Sequence, residues 1–259
     1  MTRKLRSTIR AKGPALTAVA ALLALWSIVS AAGLVPRYML PSPLDVVKAF
    51  VAEAPLLWEH SIITLQEAFY GLALGVVLGF LFAVLMDAFD VLYRALYPIL
   101  VITQTIPTVA IAPLLVLWFG YEMAPKIILI VIVTFFPVTV GLLDGFRAVD
   151  RDTIGLLRSM GASRFQIFRC VKCPSALPQF FSGLRIAAAY AVVGAVISEW
   201  LGGFGGLGVY MTRVKKAFAF DKMFAVIFLI SAISLALMAL VDWTEKRCMP
   251  YRHVKGEQK

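Results

Sequence analysis

Residues 62–86 read IITLQEAFYGLALGVVLGFLFAVLM, a long stretch that is apolar almost throughout. At about 1.5 Å of rise per residue, a helix of this length exceeds the roughly 30 Å hydrocarbon core of a bilayer. Gly71, Gly75 and Gly79 fall four apart, a doubled G-x-x-x-G that lets a neighbouring helix backbone come close. Working outward, segments of the same character lie near 14–34, 94–119, 126–146, 179–201 and 223–243. The chain is therefore expected to be an all-α membrane protein with six transmembrane helices. Composition agrees: 61% of its 259 residues are hydrophobic and 15% are charged. A soluble domain holds about 45–50% apolar and about 25% charged residues, so an aqueous core could not hide this surface.

A net charge of +10 in a soluble protein would suggest nucleic acid. Here the basic residues sit between apolar segments, and retention of loops on one side of the membrane explains them. With both ends in the cytoplasm, seventeen Lys and Arg fall inside and seven outside, four of the seven in the last external loop. At the N-terminus, Arg3, Lys4, Arg6, Arg10 and Lys12 precede an apolar run to Ala32. That run exceeds the about 7–15 residues of a signal-peptide core, so it reads as a retained first span. Between spans one and two, Ser42-Pro43 can open a short helix, with Val46, Val47, Phe50 and Val51 as an apolar stripe suited to the membrane surface. The polar tail, 245–259, is expected to be partly disordered, and the whole is read as a single permease domain, 1–259.

The third span carries Pro98, Pro107 and Pro113, the fourth Pro137. Prolines free carbonyls that lipid cannot satisfy, so a broken span marks either a pathway wall or a packing kink. Thr103, Gln104 and Thr105, the polar break, are pathway candidates, and so is Glu199, ahead of the glycine-rich 202–206. Arg185 and Glu199 are about 21 Å apart along a helix, too far to pair. Arg185 is expected to reach water or loop carbonyls at the inner end. No acidic pair or charged cluster is expected to be buried, which favours a neutral or zwitterionic solute. Cys170 and Cys173 form a lone C-x-x-C, but zinc needs about four ligands and His60 and His253 are distant in sequence. Neither metal chemistry nor a catalytic constellation is expected.

The longest loop between spans, 152–178, reads DTIGLLRSMGASRFQIFRCVKCPSALP: helix, glycine turn, helix. Asp152 or Thr153 can cap the first helix and Gly161 permits the left-handed turn that ends it. Ser163 can cap the second, which Pro174 should stop. Phe165, Phe168 and Val171 form its apolar stripe, between Arg164, Arg169 and Lys172. A short helix of this kind is suited to docking in a partner's groove.

Gly161 followed by Val171-x-Cys173-Pro174 resembles the E-A-A-x-x-x-G-x(9)-I-x-L-P loop of ATP-binding-cassette (ABC) importer permeases, with Gly155-Leu156-Leu157 where E-A-A stands and Cys173 where Leu stands. Leu40-Pro41-Ser42-Pro43, Ile106 to Leu114, Leu117 to Gly120, Phe135-Phe136-Pro137, Gly183-Leu184-Arg185 and Glu199 to Gly202 resemble the nitrate/sulfonate/taurine branch. Within it, Arg158 to Ser163, Glu199 to Gly203 and Gly206 to Met211 look most like permeases for thiamine-precursor pyrimidines. The resemblance implies a type I importer permease of the bacterial inner membrane, with a cytoplasmic coupling helix. It implies that Leu157, Met160, Gly161, Ala162, Ser163, Phe165 and Pro174 serve coupling. It also implies a separate cytoplasmic ABC ATPase that binds ATP and Mg, a periplasmic or lipid-anchored solute-binding protein, and a homodimeric pore. No G-x-x-x-x-G-K-[ST] occurs, so no ATPase site and no cofactor is expected in this chain, and no nucleic-acid partner. Sulfonate, taurine or nitrate uptake is the alternative. An intramembrane enzyme would need a nucleophile and base or a metal within the bilayer, and an ion-coupled transporter would be expected to show inverted repeats.

Overall fold

A computed structural model describes residues 2–250 apart from Leu34 and Arg37. The expectations for Arg37 and for the tail beyond Pro250 lie outside the described residues. The helices are α1 (Thr2–Ala31), α2 (Pro43–Ala52), α3 (Ala54–Ala88), α4 (Asp90–Thr103), α5 (Thr108–Phe119), α6 (Met123–Arg147), α7 (Arg151–Ser159), α8 (Arg164–Ile167), α9 (Cys173–Leu201), α10 (Leu207–Lys216) and α11 (Phe220–Cys248). A π turn, Phe168–Lys172, joins α8 to α9. Among the described residues four helical stretches are long and apolar enough to cross a membrane: Ala54–Ala88, Met123–Arg147, Arg164–Leu201 and Phe220–Cys248. The pair α4 and α5 makes a fifth if counted as one span, bent by 97° at the break. The apolar part of α1, Leu16–Ala31, is shorter, about 24 Å by helical rise.

Contacts divide the chain into two units. One comprises Met1–Trp58 with Tyr210–Leu229. Within it, Trp26 donates its Nε1–H to the Pro41 carbonyl at 3.0 Å and stacks on Phe224 and Phe228. Ser42 caps α2 as the sequence indicates, in a capping box with Asp45. Of the expected stripe on α2, Val46 is buried with Ala49, while Val47, Phe50 and Val51 stay exposed, as surfaces in lipid do. Where α2 meets α3, Lys222 donates to Glu53 and holds that carboxyl below the usual carboxylate range.

The other unit comprises Glu59–Val209 with Ile230–Lys259. Its centre is a cluster of three helices, α3, α6 and α9, each in contact with the other two. The glycine ladder of α3 faces α6: a Cβ on Gly71 would stand 2.4 Å from Ile130, on Gly75 2.2 Å from the Thr134 hydroxyl, and on Gly79 2.9 Å from Val138. Ile130, Thr134 and Val138 are also four apart, so two helix backbones meet along matched one-turn steps. α9 packs on α6 as closely: Gly183 lies against the Pro137 carbonyl, where a Cβ would stand at 2.3 Å. Substituting Gly75 by Leu should prevent this approach. The variant should reach the membrane but lose most of its thermal stability in detergent, whereas the exposed change Val77→Leu leaves the melting midpoint in place.

The second elbow helix does not stop at Pro174, contrary to the sequence expectation. The π turn absorbs one extra residue, and Pro174, in the first turn of α9, needs no intrahelical N–H partner there. Nor does Asp152 or Thr153 cap α7; Asp150 does, accepting from the Asp152 N–H at 3.2 Å.

Candidate functional site: the helix–glycine–helix elbow

The elbow is built from α7, a turn at Met160–Ala162, and α8. Gly161 has φ +83°, a conformation that side chains of L residues rarely adopt. Its N–H donates to the Arg158 carbonyl at 2.9 Å and that of Ala162 to Leu157 at 3.0 Å, closing the end of α7. Ser163 then caps α8: Gln166 N–H donates to its hydroxyl at 3.2 Å, and its own N–H donates to Gln166 Oε1 at 2.7 Å. Two capped ends around one left-handed residue make a rigid corner.

The elbow is anchored on its inner face. Ile167 is buried, Phe168 packs on Phe146 with ring centroids 5.3 Å apart, and Lys172 Nζ bridges both carboxylate oxygens of Asp87 at 2.7 and 2.8 Å. Ile167, and not Phe165, therefore faces inward. Phe165 joins Leu156 and Met160 on the outside, where the three are 68%, 62% and 75% exposed. Leu157 and Ala162 are half-buried and Ser163 is exposed. Arg158 and Arg164 flank the apolar tip, and with Asp87, Asp90, Ile154 and Phe165 they line a cavity of about 490 Å³. An apolar knob with a basic collar is suited to an apolar recess rimmed by acids.

The pathway candidates fall into two places. Thr103, Gln104 and Thr105 lie at the break between α4 and α5; Thr103 and Thr105 spend their hydroxyls on the carbonyls of Leu100 and Ile102. Gln104 reaches two adjoining cavities on the α6–α9 face, of about 470 and 310 Å³. Glu199 is buried elsewhere. Its Oε1 accepts from Thr64 at 2.7 Å and its Oε2 from the Gly208 N–H at 2.5 Å. Leu207 N–H donates to Thr64 and Gly206 N–H to His60 Nδ1, so side chains of α3 and α9 take three successive N–H groups at the start of α10. A Cβ on Gly206 would overlap the Glu199 carboxyl group at 2.2 Å, which reserves that position for glycine.

One turn along α3 from Thr64, Glu67 accepts from Lys126 Nζ at 2.5 Å. Glu67, Lys126 and Glu199 are each at most 5% exposed. This overturns the expectation that no acidic pair and no charged cluster would be buried. Glu67 falls within the second apolar run and Lys126 at the edge of the fourth, and an isolated charge inside an apolar run is the sequence signal that marks such a site. Arg185 stays partly exposed but bonds carboxylates in place of the expected loop carbonyls. Its Nε donates to Asp242 at 2.5 Å and a terminal nitrogen to Glu245 at 2.6 Å, both on α11.

Residues 75–249 match the family model described as the binding-protein-dependent transport system inner membrane component. The chain belongs to this family. The permease is 42% identical over 225 residues to a probable ABC transporter permease protein of Haemophilus influenzae, covering 87% of this chain and 92% of that one. It is 40% identical over 232 residues to the formylaminopyrimidine transport permease protein ThiX of Halalkalibacterium halodurans, covering 89% and 92%. Its fold matches an amino acid ABC transporter solved with histidines at a TM-score of 0.64, with 19% identity, over 76% of this chain and 96% of that one. The all-helical architecture is thus that of type I ABC importer permeases, and the protein is a transmembrane subunit of an ATP-driven importer.

Proposed function

We propose that this permease forms half of a homodimeric pore and takes its driving force from a separate cytoplasmic ATPase, which binds ATP and Mg and grips the elbow. A solute-binding protein delivers a small neutral heteroaromatic solute of the formylaminopyrimidine class to the opposite side. The observation that carries the coupling role is the exposed trio Leu156, Met160 and Phe165 on a doubly capped corner. Movement of a gripped corner passes through the continuous α8–π–α9 stretch into the α6–α9 pair without a loop to absorb it. The Lys/Arg balance supports an orientation with both termini and the elbow in the cytoplasm. Three features support the solute class: the sequence likeness to the formylaminopyrimidine permease, the neutral side chains around Gln104, and the lack of any Lys, Arg or His in the lining of those two cavities, where Asp144 is the one acidic residue. A sulfonate would call for a cation there.

The test is uptake into proteoliposomes holding the permease with its ATPase and binding protein. Labelled formylaminopyrimidine should accumulate only with internal ATP and only when the ATPase is present. Excess taurine should not compete. Accumulation by the permease alone would refute the coupling role, and competition by taurine with none by formylaminopyrimidine would move the solute to the sulfonate class.

A further inference from the structure

The break between α4 and α5 opens onto a face of the α6–α9 pair that carries both cavities. Gln104 and Tyr190 line both of them; Gln179 and Ser182 line the larger, and Pro107, Thr108 and Val133 the smaller. Ile186, Tyr190 and Val193 expose successive turns of α9 along this face. Non-helical backbone at membrane depth is tolerated only against protein or a watered cavity, and the break from Gln104 to Pro107 is such backbone. Pro137, on the floor of the larger cavity, deprives the Val133 carbonyl of its helical donor. The Oε1 of Gln179 is buried with no hydrogen-bond partner among the described residues. Ser182 donates to the Pro178 carbonyl at 3.0 Å and keeps its lone pairs for an incoming donor.

We infer that Gln104, Gln179, Ser182 and Tyr190 form a solute-contact site at this helix break, built for a neutral, planar nitrogen heterocycle. The inference rests on the solute class proposed above and locates where the solute meets the membrane subunit. Together the cavities fall in the size range of small-ligand sites, lined mainly by apolar groups with a few polar ones. A phenol ring offers a face for stacking. Each glutamine amide presents a donor beside an acceptor, the complement of a ring nitrogen next to an exocyclic amino group. Asp144, the one acidic lining residue, stands in the last turns of α6, seven residues beyond Pro137, and the lining holds no Lys, Arg or His to neutralise an anionic solute.

The experiment uses the complete reconstituted transporter and labelled formylaminopyrimidine, comparing wild type with Gln104→Leu, Tyr190→Leu and Tyr190→Phe. Solute moved per ATP hydrolysed should fall about tenfold or more in Gln104→Leu and Tyr190→Leu, the loss of one good contact each, and should stay near wild type in Tyr190→Phe, which keeps the ring. Uptake per ATP equal to wild type in both leucine variants would overturn the site. So would a parallel fall in uptake, ATP hydrolysis and assembly, which would assign this face to packing between two copies. Absence of formylaminopyrimidine uptake by wild type would instead overturn the solute class, and this site with it.

Discussion

Gly161→Pro should leave the permease inserted at wild-type levels yet abolish binding-protein-stimulated ATP hydrolysis and reduce uptake by an order of magnitude or more. Proline fixes φ near −65°, whereas Gly161 sits at +83° and donates its N–H to Arg158. The corner cannot form with that residue, so Met160 and Phe165 are carried off their line. No atom lies within 4 Å of a Cβ built on Gly161, so the space is open and only the backbone conformation is at issue. Gly161→Asp is therefore the milder test: Asp visits the left-handed region at a cost of about 1 kcal/mol, and should impair coupling partially. Insertion is read by membrane fractionation and coupling by ATP hydrolysed with and without loaded binding protein. Wild-type uptake by the proline variant would remove the elbow from the mechanism.

Lys126→Met should be strongly destabilising. It strands the Glu67 carboxylate, 2% exposed, without the ammonium that now donates to it. Removing one partner of a buried pair typically costs about 3–5 kcal/mol, because the remaining charge stays desolvated, while replacing both partners by apolar groups is often near neutral. The Lys126→Met single variant should accumulate poorly or melt far below wild type in detergent. Adding Glu67→Met should recover most of that loss. A single variant as stable as wild type would mean that the pair carries no stability. A double variant that stays stable yet fails to transport would assign the charges to function rather than to folding.

Much of the architecture was legible in linear order because the bilayer imposes simple rules on composition. A run such as 62–86 has one environment in which it is soluble, and its glycine ladder already announced a close helix partner. Local signals also survived: Ser42-Pro43 opened a helix, Gly161 took a positive φ, and Ser163 capped what followed, since each depends only on neighbours within a turn. Errors arose where local chemistry is permissive. Pro174 can stop a helix or begin one, and the π turn before it chose the second. Phe165 and Phe168 read as one docking stripe, but Phe168 packs inward on Phe146 while Phe165 alone stays exposed.

What the sequence determined by itself was the solvent of each segment, the broken third span, and a corner whose turn residues admit few conformations. These follow from hydropathy and backbone sterics, which are properties of a few adjacent residues. Only the tertiary structure decided the charge partners. Glu67 and Lys126 are separated by 59 residues, Thr64 and Glu199 by 135, and Arg185 from its acids by 57 and 60. A buried charge must be neutralised or hydrogen-bonded somewhere, but which group meets it depends on how helices far apart in the chain stack, and that is fixed by packing across the whole unit.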